Sequence, residues 1–203
     1  MSTFAMHVAK TGLNSQQIKM QVIANNLANV NTTGFKSDRT NFESLLYQVL
    51  RGAGENTSEN TSLASGLSVG TGTRLLNTSK LHTQGSLINT GNSLDMSIEG
   101  DGFFQILMPD GQIGYTRSGA FMRNAEGTVV TPSGYPLQPE IQIPADTQTI
   151  TVASDGIVTV QVPGDVAAQE VGQITLADFV NRQGLQPNGE SMFIETPASG
   201  API

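Results

Sequence analysis

The sequence holds two histidines, His7 and His82, and no cysteine. A metal centre needs several imidazole, thiolate or carboxylate ligands converging on one point, and a general base needs a partner that orients it. Neither histidine has a His, Asp or Glu set beside it at ligand spacing, and the missing Cys removes thiolate ligands, disulfides and Cys nucleophiles. Hydrolysis of a glycosidic bond takes two facing carboxylates. Asp155, Asp165 and Glu170 are the candidates for such a pair, which would make the chain a secreted hydrolase of wall polysaccharide. Asp101, Asp110 and Asp155, however, each precede a glycine, which is the chemistry of a tight turn, the glycine supplying the positive φ. Gly70-Thr-Gly72 and Gly100-Asp-Gly102 are too short to cradle phosphate and no Lys-Ser/Thr follows them; there is no G-x-S-x-G nucleophile elbow. The residues describe an assembly part rather than a catalyst, with no cofactor and no metal.

Composition agrees with a turn-rich β protein: 22 Gly and 9 Pro, with charged residues at 13% and aromatics at 5%. Two hundred and three residues suffice for one domain with a real core plus an appendage. No apolar run reaches membrane-spanning length, and the N-terminus lacks a basic region before an apolar block, so neither a membrane span nor a cleavable signal peptide is expected. The net charge of −7 is uneven. The first forty residues carry Lys10, Lys19, Lys36 and Arg39 against Asp38 alone, whereas residues 124–203 hold nine acids and only Arg182. An acidic body of this kind argues against nucleic-acid binding, since the phosphates require basic surface.

Three regions follow along the chain. In residues 3–30, Met6, Leu13, Met20 and Leu27 recur every seven positions, and Ala9, Gln16, Ile23 and Val30 form the second position of the same repeat. Such a heptad seam predicts an amphipathic coiled-coil-type helix. A lone helix of this length needs a cover for its stripe, either other helices or the β domain of its own chain. The strict seven-residue spacing favours other helices. Asn25 and Asn29, four apart, share a face away from the seam, and Asn26 falls on another flank. Asparagine is a poor helix former, so three on separate faces suggest hydrogen bonds to several neighbours, with Asn31-Thr32-Thr33-Gly34 as the stop. In residues 37–80, Ser37 or Asp38 is expected to cap a short helix bearing Phe42, Leu45, Leu46 and Val49. The polar stretch GAGENTSENTSLASGLSVGTG reads as a linker. Residues 81–203 show short β-prone runs broken by turn signals about every 8–12 residues, as in an antiparallel sandwich or barrel-like domain.

Three long blocks, in order, carry a resemblance. VIANNLANVNTTGFK (22–36), TGNSLDMSIEGDGFFQI (90–106) and YTRSGAFMRNAEGTVVTPSGYPLQP (115–139) resemble the shared blocks of the bacterial flagellar rod and hook family. Within it, SGLSVGTGTR (65–74) and VGQITLADFVNRQGLQPNGESMFIET (171–196) look like the distal-rod branch, and residues 47–66 resemble the insertion that sets that branch apart from hook subunits. A proximal rod or hook subunit is the near alternative.

The resemblance implies a non-catalytic structural subunit that polymerises into a stiff tube across the periplasm, exported by the flagellar type III apparatus. Its implied partners are copies of itself, proximal rod proteins, the hook protein and the P- and L-ring proteins. It further implies residues 1–36 as a polymer-core helix, 37–80 as a connector and 81–203 as an outer β domain. The assembly residues are then Met6, Leu13, Met20, Ile23, Leu27 and Val30 on the seam and Asn25, Asn26 and Asn29 on the polar faces. Family members also carry a C-terminal helix that pairs with the N-terminal one, and no such segment follows Met192–Thr196 in this sequence.

Overall fold

A computed structural model describes every residue except Met1, Glu55, Glu59, Asn60, Leu63, Asp165 and Val166, with only the backbone of Ser2, Asn56–Ser58 and Thr61–Ser62. The chain is mainly β, antiparallel throughout, with one long N-terminal helix, and it divides into two units. Unit 1 comprises Met1–Val30 and Ser37–Leu81; unit 2 comprises Asn31–Lys36 and His82–Ile203.

Unit 1 contains α1 (Ser2–Ala28) and six strands: β1 (Asp38–Ser44), β2 (Tyr47–Arg51), β3 (Asn56–Ser58), β4 (Thr61–Ser62), β5 (Leu67–Gly70) and β6 (Thr73–Lys80). Strands β1 and β6 pair from Asp38↔Lys80 to Ser44↔Thr73. The short helix expected around Phe42–Val49 is not formed; those residues lie in β1, the following link and β2. Four apolar residues in eight positions fit a helical period, but the complementary strand Thr73–Lys80 offers backbone pairing over the whole of β1, and tertiary pairing overrides a short local pattern. Asp38, expected as a helix cap, instead pairs its carboxylate with Lys80 at 2.8 Å. The polar stretch expected as a linker contributes β3, β4 and β5, with β2 paired to β5 and β3 to β4.

Unit 2 carries β7 (Phe103–Leu107), β8 (Ile113–Thr116), β9 (Met122–Arg123), β10 (Val129–Val130), β11 (Leu137–Gln138), β12 (Thr149–Val152), β13 (Ile157–Gln161), β14 (Gln169–Gln173), β15 (Leu176–Ala177), β16 (Gln186–Pro187) and β17 (Met192–Ile194). A 3₁₀ turn, Arg182–Gly184, precedes β16. One sheet runs β11-β7-β8-β17-β16 with β15 also on β7; β12-β13-β14 form a second and β9-β10 a ribbon. The run GFFQILM explains the placement of β7. Adjacent residues of a strand point to opposite faces, and here both faces are covered. Phe104 enters a cluster with Phe121, Leu137, Ile141, Val158 and Val160, joining the two sheets. Phe103 enters the other, with Tyr115, Phe179, Leu185 and Phe193. The Asp-Gly and Glu-Gly turns behave as their sequence requires, with Gly111, Gly127 and Gly156 at φ 81°, 88° and 82°.

Candidate assembly surface

Helix α1 has two stripes of different fate. Phe4, Val8, Thr11, Ser15, Ile18, Val22 and Asn26, three or four residues apart, are half-buried and belong to the face turned toward the β1–β6 hairpin. Polar side chains fix this docking. The Thr11 hydroxyl accepts from the Thr73 backbone N–H at 3.4 Å, Ser15 meets the Thr73 hydroxyl at 3.0 Å, and Gly72 lets the turn come so close that a Cβ there would sit 2.3 Å from Thr11 Oγ1. Asn26 acts as a surrogate strand: its Nδ2 donates to the Asp38 carbonyl at 2.8 Å and its Oδ1 accepts from the Asp38 N–H at 2.9 Å.

The predicted seam lies on the other side of the helix. Met6, Leu13, Met20 and Leu27 are 70–72% exposed, with Val30 at 69% and Ile23 at 55%. Of the three asparagines, Asn25 is exposed, Asn29, just past the helix end, donates back to the Asn25 carbonyl at 2.9 Å, and Asn26 is engaged with Asp38. The intrachain role of Asn26 has a signal in the sequence: it lies four residues from Val22 on the second stripe, which is less apolar than the heptad seam. The ribbon β2–β5 is the second apolar surface. Leu46, Tyr47, Val49, Leu50 and Leu67 are all exposed, and every residue of β2 faces solvent. A two-stranded ribbon open on both faces is marginal by itself.

Among the described residues no group of three His, Cys, Asp or Glu is placed to hold a metal ion. The Asp110 and Asp155 carboxylates accept the Gln112 and Ile157 N–H groups at 3.1 and 3.2 Å, closing their own turns. Asp165, the third member of the hydrolase reading, lies outside the described residues. A cleft of about 290 Å³ in unit 2 is walled by Thr32, Thr116, Thr131, Ser133 and Ser191 and has one carboxylate, Glu190, where glycoside hydrolysis takes two. His7 is exposed on α1, and His82 is packed among aromatic rings.

The chain thus joins a long helix with an exposed apolar seam to a β body, and comparison with known proteins places it in a family. Residues 97–160 match the model described as the flagellar hook protein FlgE/F/G D1 domain, and residues 6–36 match that of the flagella basal body rod protein. The chain belongs to the flagellar basal-body rod protein family. It is 49% identical to the flagellar basal-body rod protein FlgG of Buchnera aphidicola subsp. Acyrthosiphon pisum over 98% of this chain and 76% of that protein. For the protein of the same name from Agrobacterium fabrum the identity is 45%, over the same shares. The flagellar hook protein FlgE of Treponema pallidum is 42% identical, but over 61% of this chain and 26% of its own length.

Proposed function

We propose that this chain is a structural subunit of the flagellar distal rod, in which copies pack through the exposed seam of α1. The observation that carries this reading is that stripe: five large apolar side chains, Met6, Leu13, Met20, Ile23 and Leu27, stand in solvent along one helix whose opposite face is already docked, and Val30, just past its end, is exposed too. Neighbouring helices would bury it, and the β2–β5 ribbon, whose first strand opens the stretch 47–66, would supply a further, stiffening contact. The other partners of this reading are proximal rod proteins, the hook protein, the P- and L-ring proteins and the export apparatus, in the periplasmic part of the basal body. No catalytic step belongs to it. The test is Leu13→Asp and Leu27→Asp in cells lacking the native gene copy. A charge buried in the seam without a partner costs several kcal/mol, so rods should be absent from isolated basal bodies while the purified variants keep the melting curve of unit 2. Normal rods and swimming in both variants would overturn the seam.

A further inference from the structure

His82 is the first residue of its stretch of unit 2, directly after the chain leaves β6. Both ring nitrogens are buried and make no hydrogen bond, a rare state for a buried polar group. The ring stands edge-on to Phe103 and tilted against Phe193, each at 5.9 Å between centroids, so it serves as one more aromatic ring beside that cluster. The charged groups around it are mostly cations. Lys36 comes from the segment Asn31–Lys36, Arg117 from the end of β8 with its guanidinium 5.3 Å over the Phe103 ring, and Arg182 from the 3₁₀ turn. The carboxylates of the cluster, Asp101 and Asp178, are both engaged by Arg182, and Glu195 lies with Tyr115. Burial, and then the Lys36 ammonium, hold the imidazole below its ordinary value of 6.5; the Arg182 backbone pulls the other way, and the Arg117 and Arg182 charges reinforce the lowering. The residue after His82 is itself a tether, since Lys36 Nζ donates to the Thr83 carbonyl at 2.7 Å.

We propose that His82 is an acid-released clasp: its neutral ring pins residues 82–83, and through Thr83 the Asn31–Lys36 segment, onto unit 2, and its protonation lets both go. Protonation places a fourth cation among three, with the Arg182 backbone alone pulling the other way. Because the folded value is depressed, the contribution is complete above 6.5 and is lost as pH falls from there toward the lowered value. The segments released are where the chain passes between the two units, at 30/31, 36/37 and 81/82.

Hydrogen exchange of the wild-type chain, corrected for intrinsic rates, tests this in peptides covering 31–36 and 82–84 between about pH 7.5 and pH 5. Protection there should fall about tenfold for each unit by which the imidazole is held below its ordinary value, while peptides of β7 and β13 keep theirs. In His82→Phe, which keeps a ring and cannot titrate, the fall should vanish. An unchanged protection in wild type, or an equal loss in the variant, overturns the clasp. Should the variant not fold, an NMR titration of the wild-type imidazole decides: a midpoint at or above 6.5 overturns the proposal, and one below it supports it.

Discussion

At the scale of single residues, close backbone approach and paired amide bonds do much of the fixing. Gly34 has φ +70°, and a Cβ added to it would lie 2.4 Å from the Ser118 backbone nitrogen. Gly34→Ala therefore meets both left-handed strain and rigid backbone, and is expected to cost about 1–3 kcal/mol. A fall of several degrees in the calorimetric melting of unit 2 would register it. Asn26→Ala removes two hydrogen bonds at once and leaves the Asp38 N–H and carbonyl, half-buried, without their partner. At about 1 kcal/mol per bond, urea unfolding followed by helical circular dichroism should shift by about 1–2 kcal/mol. Asn26→Asp should do no better, since it sets a carboxylate against the Asp38 carbonyl.

Single elements have faces with opposite sensitivities. In α1, Leu13 belongs to the exposed seam and Ile18 to the face on the β1–β6 hairpin. Leu13→Ser should leave the helical signal and melting of the isolated chain within about 0.5 kcal/mol, as expected for a surface change. Ile18→Ser removes part of the cover under a helix that packing, more than propensity, holds in place. Its helical circular dichroism should drop and melt earlier. Equal effects at both positions would mean that the two stripes are not distinct. The sequence made the outer stripe legible because its residues are large and apolar. It hid the inner one because Thr11, Ser15 and Asn26 dock by hydrogen bonds, which hydrophobic periodicity does not register.

Across the whole molecule, acid acts on unit 2 at two separate points. His82 titrates below 6.5, and Asp178 below its ordinary 3.8, held down chiefly by its hydrogen bonds from the Arg182 guanidinium. A depressed carboxylate contributes stability above its ordinary value and loses it as pH falls through the lowered one. Asp178→Asn should therefore lower the melting temperature of unit 2 at neutral pH and flatten its decline below pH 3.8. The pair is partly exposed, so the effect is modest and shrinks with added salt. A decline below that pH as steep as in wild type would show that Asp178 is not its source.

The sequence by itself determined the elements whose information is local: the helix, from its heptad spacing; the turns, from Asp-Gly and Glu-Gly; and the buried strand Phe103–Leu107, from a continuous apolar run. It also carried the family, because long ordered blocks survive wherever the same packing is kept. Partnership, by contrast, was settled only by contacts made in the folded chain. Residues 42–44 and 47–49 became strand because Thr73–Lys80 and Leu67–Gly70 were there to pair with them. Asn26 turned inward because the Asp38 backbone met it. His82 became a half-buried ring packed on Phe103 and Phe193 because these rings and three cations converge on it from distant points in the chain. Such pairings depend on contacts between residues far apart in sequence, and no local pattern of residue types encodes them.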